Sequence, residues 1–350
     1  MKALRALMCG CCCVWIGSLS ADDEADHHLT WGSVSFYSEN DKYFAGTDQY
    51  YTNGFKISAL SGALNNFTDH SVPHPIRFIA QTLEPVSEKG ADYKLGVSLG
   101  QNLYTPVNIH TPVPQPNDRP YAAWLYAGTV FQNYLPAQRR DGSTGVPRLD
   151  VYEFNVGTVG PNALGQQIQN SFHDIINAPH AQGWANQIHN EPGINIIFER
   201  KYRFQTDQSR TGWSADFIPH GGGSLGNVFT YANLGAEGRA GWRLPRDFGT
   251  DLIRPSGDSN SRVPPAFSSF LFVGVNGRAV LRDITLDGNS FRSSPSVDKK
   301  PLVGDLLGGI ALGFKYFQIT YAQVVRSKEF YGQGNAQVFG SISTTFFISY

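Results

Sequence analysis

The sequence predicts an all-β chain, a transmembrane antiparallel up-and-down β-barrel of about twelve strands with a short helix in an extracellular loop. Three observations predict it. An export leader stands at the N-terminus, no later stretch is long and apolar enough for a spanning helix, and the remaining chain alternates apolar and polar residues with period two. Of 350 residues, 16% are charged, 13% are aromatic and 37 are glycine, a composition too aromatic and too charge-poor for disorder. The net charge of −1 offers no basic field to a nucleic-acid backbone, which excludes nucleic acid as a partner.

Lys2 and Arg5 form a positive n-region, residues 6–17 an apolar h-region, and Ser18-Leu19-Ser20-Ala21 a small-residue cleavage site before the acidic Asp22-Asp23-Glu24. Residues 1–20 are thus expected to be a signal peptide and 21–350 the barrel domain. All four cysteines, Cys9, Cys11, Cys12 and Cys13, fall in that leader. The exported chain then holds no disulfide framework, zinc–thiolate site or cysteine nucleophile.

Strands are expected at 31–38, 51–60, 93–104, 122–134, 148–158, 194–205, 213–221, 227–239, 267–282, 302–314, 317–330 and 336–350. Each is a segment of roughly ten residues with period-two alternation, bounded by Gly, Pro and Asn. The last is the clearest: Ile342, Thr344, Phe346, Ile348 and Tyr350 share one face, and Ser341, Ser343, Thr345, Phe347 and Ser349 the other. A sandwich would turn the greasy face to a core, and a membrane barrel would turn it to lipid. The aromatic cluster of Tyr121, Trp124, Tyr126, Phe131 and Tyr134 favours the barrel, and an even strand count returns both ends to one side of the membrane. Glycines within the segments, among them Gly96, Gly128, Gly157 and Gly235, suit a curved wall.

One stretch breaks the alternation. Between residues 162 and 187, Leu164, Ile168, Phe172, Ile175 and Ile176 recur at helical spacing, opposite a polar face of Gln166, Gln169, Asn170 and His173. His173 is the best-placed general base in the chain, although a helical histidine is commonly only solvated. A second cluster, Glu39-Asn40-Asp41, Thr47-Asp48 and Thr52-Asn53, gathers oxygens at the facing ends of the first two strands. Spacing alone leaves a hard-cation site and an ordinary polar hairpin loop both open. His220-Gly221-Gly222-Gly223 with Ser224-Leu225-Gly226 imitates a hydrolase elbow. The motifs overlap and a strand follows, so a tight glycine hairpin is expected there instead.

The ordered set of motifs then resembles a known family. Glu39-Asn40-Asp41 ends the first strand, Asp48-x-x-Tyr51-Thr52-Asn53-Gly54 opens the second, and Asn117-Asp118-Arg119-Pro120-Tyr121 precedes the fourth. Gly157-x-x-Gly160-Pro161 runs into Gln169-Asn170-x-x-His173 and Gly183-Trp184-x-x-Gln187. Together these are similar to the outer-membrane lipid A 3'-O-deacylases over nearly the whole exported chain. The resemblance implies a twelve-strand barrel in the bacterial outer membrane, acting as a monomer on lipid A of lipopolysaccharide. It implies calcium-dependent hydrolysis of an acyl ester between the wall and a loop helix, with Asn40, Asp41, Thr52 and His173 at the catalytic positions. Asn40, Asp41 and Thr52 would lie at the calcium, His173 would activate water, Gln169 would meet the substrate, and Asp118 and Arg119 would brace the site or meet a sugar phosphate as substrate-binding residues. The chain departs from the family's known lipid A enzyme in the loop 106–116, where His110 is the sole titratable basic group. The rival readings are an outer-membrane phospholipase, which needs a Ser–His pair on adjacent strands, and a passive porin, which predicts a constriction lined by charges of both signs and no calcium dependence.

Overall fold

The computed structural model describes residues 29–43, 49–69, 71–83, 88, 90–139, 142–206, 209, 211–250, 252–253 and 266–348. The signal peptide, Thr47, Asp48 and Tyr350 lie outside the described residues. The chain forms β1 (Trp31–Asn40), β2 (Tyr50–Ser61), α1 (His74–Thr82), β3 (Asp92–Thr105), β4 (Ala122–Leu135), β5 (Arg148–Val159) and α2 (Gly165–Ile176). It continues with β6 (Glu191–Tyr202), β7 (Phe204–Gln205), β8 (Trp213–Gly226), β9 (Phe229–Trp242), β10 (Phe267–Asp283), α3 (Ile284–Asp287), β11 (Leu302–Phe314), β12 (Phe317–Arg326) and β13 (Gln337–Phe347). Neighbouring strands pair antiparallel, β1 with β13 and β6 with β8. The sheet is therefore a closed barrel of twelve long strands, with β7 as a two-residue addition on β8. Closure leaves no long unpaired edge, which a strand in a bilayer could not tolerate.

Alternation sorts the side chains as expected. Along β10, Leu271, Val273 and Val275 are exposed while Phe270, Phe272 and Asn276 are buried. On β13, Ile342 and Phe346 face out, and Ser341, Ser343 and Thr345 face in. A row of rings, Trp242, Phe267, Phe314, Phe317 and Phe346, circles the outside near the end that carries Trp31 and Phe347, with successive centroids 4.7 to 6.4 Å apart. This is the aromatic girdle of one membrane interface. We call that end the terminal end and the other the far end.

The lumen is packed with ion pairs. Asp216 accepts from Arg203 and Arg239 at 2.8 and 2.6 Å, and Arg239 also pairs with Asp247. Asp247 belongs to the β9–β10 connection, whose described residues 243–250 and 252–253 fold up into the barrel. Phe248 packs edge-on to Tyr134 at 5.6 Å, Thr250 donates to Glu237, and Leu252 joins the central cluster of Tyr51, Trp124 and Phe270. Beside Tyr51, Asn102, Asp305 and Glu329 the remaining space is only about 40 Å3. Among the described residues the interior is largely filled by paired charges and packed side chains.

Three differences from the sequence-based expectation have physical causes. The glycine run 221–223 is not a hairpin; it lies inside β8, where Gly222 pairs with Glu199 across the β6–β8 seam that closes the barrel. A Cβ on Gly222 would come within 2.8 Å of the Glu199 Cα, so close strand approach explains the glycine. The turn falls later, at Asn227 and Val228. The 62–91 connection, read from sequence as a loop, contains α1, which starts with Pro75 in its first turn. Leu64, Phe67, Val72 and Ala80 from this connection pack on Tyr93, Leu95 and Phe131, on the outer wall near the terminal end. The expected strand 194–205 also breaks after Tyr202, before β7.

Candidate active site on the outer face of the wall

Over most of the barrel the outward face is apolar, but near the far end of β1, β2 and β3 it turns polar. Phe36 and Phe55 are exposed to the bilayer; continuing up the same faces come Ser38 and Asn40 on β1, Asn53 on β2, and Gln101 and Thr105 on β3. Asn40 pairs with Asn53 in the β1–β2 ladder. The register of β2 against β3 shifts between Tyr51 and Asn53, leaving Thr52 as the extra residue of a β-bulge. Bulges re-aim side chains, and Thr52 Oγ1 sits 2.6 Å from Thr105 Oγ1. Tyr50, at the start of the strand, holds φ at +65°, a strained value for a bulky residue. Its ring is clamped edge-on against Phe330 at 5.7 Å.

Asn40, Asp41 and Thr52 are each 3% exposed or less. The Asp41 amide reaches the Thr52 carbonyl at 3.5 Å. Asn40 Oδ1 accepts from the Lys42 amide at 2.7 Å, and Asp41 Oδ2 accepts from the Gln49 amide at 2.6 Å. From inside the lumen, Tyr51 Oη donates to Glu39 Oε2 at 2.8 Å and the Ile253 amide donates to Glu39 Oε1 at 2.7 Å. Glu39 and Tyr51 are the inward neighbours of Asn40 and Thr52, so the barrel filling braces the site strands from behind.

α2 lies beside this region, against β4. It begins and ends on residues in the left-handed region, Leu164 with φ 59° and Asn177 with φ 55°, and Ala178 N donates to the His173 carbonyl at 2.8 Å. The preceding turn anchors to the wall: Gly160 N donates to Ala123 O at 3.2 Å and Gln101 Nε2 to Ala163 O at 2.5 Å. Gly165 lies against Trp184 and Ala123 so closely that a Cβ there would stand 2.6 Å from Trp184 Cζ3 and 2.8 Å from Ala123 Cβ. Trp184 packs with Leu103, Tyr121 and Ala163 and donates from Nε1 to Gln169 Oε1 at 2.7 Å. One turn further, His173 is 2% exposed, with Nδ1 2.5 Å from the Pro179 carbonyl. A carbonyl only accepts, so Nδ1 carries the proton and Nε2 is the basic nitrogen of the neutral ring.

β3 links the two halves. Thr105 meets Thr52, and Leu103, on the same outward face, packs into the cluster that fixes Trp184 and through it Gln169. Asn40, Asp41, Thr52, Gln169 and His173 are thus all buried at the far end, at or beside the join between the outer wall and α2.

The profile of the family described as "Outer membrane protein LpxR" matches residues 7–348. The chain belongs to the LpxR family. It is accordingly an outer-membrane protein, and the family resemblance read from its motifs is borne out. Among solved structures it is similar to LpxR from Salmonella typhimurium, at 20% identity with a TM-score of 0.69 over 90% of this chain and 100% of that one. The β domain of the Bordetella autotransporter BrkA follows at 8% identity and a TM-score of 0.42, covering 91% and 98% of the two chains. The transport unit of AIDA-I from Escherichia coli follows at 9% and 0.36, covering 95% and 93%. No curated protein sequence matches.

In this LpxR-family barrel, two residues expected at the substrate have structural work. Arg119 is 1% exposed: one guanidinium nitrogen binds Glu329 Oε2 at 2.6 Å, the other Thr285 Oγ1 at 3.0 Å, and the group lies 4.6 Å from the Tyr104 ring centroid. Burial alone would depress its basicity, but Glu329, Asp283 and Tyr104 raise it above the ordinary arginine value. Burial likewise pushes the Glu329 carboxyl up, and Arg119, Arg326 and Arg278 outweigh that and hold it below 4.5. Asp118 caps its own loop, accepting from the Val107 and Arg119 amides at 2.8 and 2.7 Å. Both border a cavity of about 210 Å3 with Pro106, Val113, Pro116 and Tyr121. Gln166, expected on the polar face with His173, is exposed. Sequence reasoning passed over Thr105 and Pro179, which no motif marks, and Gly165, whose small size at a helix start was the available signal.

The donor set of Asn40, Asp41 and Thr52 fits a hard cation. One carboxylate and two neutral oxygens, all buried and on two adjacent strand ends, suit calcium in a site completed by water or substrate oxygens. Among the described residues no group of three or more His, Cys, Asp and Glu side chains competes as a metal site.

Proposed function

We propose that this LpxR-family protein is a carboxylic ester hydrolase that removes an ester-linked acyl chain from lipid A in the outer leaflet. The observation that carries the reading is His173. It is a buried imidazole oriented by a carbonyl at Nδ1, on a helix packed against β4 beside a polar notch in an otherwise apolar, lipid-facing surface. A histidine is poor use of such a place unless its second nitrogen works.

The neutral ring takes a proton from water at Nε2 as that water attacks the ester carbonyl. The Nδ1–H bond to Pro179 strengthens as the ring becomes cationic, since a charged donor binds a carbonyl more tightly. The imidazolium then returns the proton to the departing sugar oxygen, releasing fatty acid and leaving the ring neutral. Gln169, held by Trp184, sets the face of α2 that meets the wall, and the Thr52–Thr105 contact holds the bulge. Calcium near Asn40, Asp41 and Thr52 would, when bound, polarise the ester carbonyl and stabilise the oxyanion.

Mass spectrometry of lipid A from cells expressing the wild type, His173→Ala or Asp41→Ala tests this, with and without a calcium chelator. Loss of one acyl chain with the wild type and none with His173→Ala is expected. Unchanged lipid A beside correctly folded wild-type barrel refutes the assignment, and full activity of His173→Ala refutes the base.

A further inference from the structure

α2 has three faces rather than two. Successive residues advance by about 100° around a helix axis, so Gly165, Gln169 and His173, all buried, mark the side toward the wall. Leu164, Ile168, Phe172 and Ile175 centre roughly 100° to one side of that line, and Gln166, Asn170 and Asp174 roughly 100° to the other. The apolar flank is open: Leu164 is 46% exposed, Ile168 43% and Ile175 71%. The polar flank is open too at Gln166 and Asp174, and Asp174 meets the exposed His180 at 2.6 Å.

The apolar flank adjoins a surface already assigned to lipid. The turn ahead of α2 bonds to Gln101, and the next outward residue down β3 is Leu99, 52% exposed, beside Val156 on β5 at 60% and Ile194 and Ile196 on β6. α2 therefore sits at the upper rim of the hydrocarbon belt. A loop helix surrounded by water would turn such a flank inward, because leaving large aliphatic groups in water is unfavourable.

We propose that α2 lies at the lipid–water boundary, its Leu164–Ile168–Ile175 flank seated among outer-leaflet acyl chains and its Gln166–Asn170–Asp174 flank in the aqueous headgroup layer. The buried wall-facing strip with His173 then lies at the depth of the sugar–acyl junction, where an ester bond of a glycolipid sits. The substrate class that fits is a lipid presented in the bilayer, entering laterally beneath the apolar flank. This rests on the deacylase reading for its function but not for its geometry.

The test uses the full barrel in bilayers, residues 21–350, which hold no native cysteine. Spin labels are attached at Ile175→Cys, Asn170→Cys and Leu99→Cys, and collision with oxygen and with an aqueous nickel chelate is measured. The label at 175 should match that at 99, oxygen-accessible and nickel-poor, and the label at 170 should collide freely with nickel. Equal nickel access at 175 and 170 overturns the proposal. Nickel access at 175 that disappears only in native membranes points to a protein occupant and overturns it as well. In parallel, Ile175→Lys should lower turnover of bilayer-embedded lipid A at least tenfold while leaving that of detergent-dispersed lipid A within twofold. Equal losses on both substrates would mean that the residue only packs the helix, and would overturn the lateral-entry step. A wild type without turnover sinks the deacylase reading, and the spin-label result still decides the seat of α2.

Discussion

Replacing Gly165 by alanine is the smallest change that should separate the helix from the wall. The added Cβ would stand 2.6 Å from Trp184 Cζ3 and 2.8 Å from Ala123 Cβ, whereas unstrained carbon contacts lie at about 3.5–4.0 Å. Relief therefore needs a movement of about 1 Å. Neither neighbour can yield readily. Trp184 is fully buried and tied to Gln169, and Ala123 belongs to β4. The helix must lift, against an overpacking strain of about 1–3 kcal/mol, and carry Gln169 and His173 with it. A 1 Å displacement of a reacting group costs on the order of a hundredfold in rate. Barrel stability should hardly change, because the twelve paired strands do not depend on α2. The assay is turnover of lipid A by purified protein, with thermal unfolding of the same sample measured by circular dichroism. Gly165→Ala retaining half or more of the wild-type rate would refute the idea that contact of α2 with the wall positions the base.

Three further outcomes are expected. Trp184→Phe keeps the ring packing but removes the donor to Gln169 Oε1, leaving a buried acceptor at a cost of about 1–3 kcal/mol; rates should fall with the melting temperature shifted by only a few degrees, as read by paired activity and calorimetry. Tyr51→Phe removes the lumen hydrogen bond to Glu39 and should lower kcat with little change in KM, since nothing on the substrate side is touched; an unchanged kcat would show that the lumen does not brace the site. Glu329→Gln removes the nearer counter-charge of the buried Arg119, leaving Asp283 at 3.9 Å, and should cost up to about 3–5 kcal/mol at pH 7. Because the folded carboxyl is held below 4.5, its stabilisation is complete above that pH and is lost as pH falls through the lower folded value. Denaturation midpoints of the variant should therefore be flatter than those of the wild type below pH 4.5.

The barrel was legible because strand alternation is local: each of the twelve segments carries its own in–out pattern, as Ile342 to Phe347 illustrate. The candidate site was legible only as motifs, since Thr52 reaches Thr105 across a bulge that no spacing rule marks. The orientation of α2 could not be read at all. An amphipathic period gives two faces, and which one packs depends on whether the surroundings are water or lipid. Here Gln169 and His173 go in and Ile175 stays out. The ion pair of Arg119 could not be read for a related reason, because its partner Glu329 lies 210 residues away and only barrel closure brings the two together. The glycine run at 221–223 imitated a turn because a close strand seam and a tight turn both require the absence of a side chain.

The polar notch at Asn40, Asn53 and Gln101 opens sideways through the wall's outer surface, while the lumen is closed by its own charges. A lipid that reaches the notch along the lipid-facing wall arrives by sliding in the plane of the leaflet, so its relevant concentration is a number of molecules per unit area, not per litre. Encounter in two dimensions needs no long-range attraction to collect dilute ligand from solution. A chain with a net charge of only −1 loses nothing by lacking one, and its working rate is set by how densely and how fluidly the neighbouring lipids are packed.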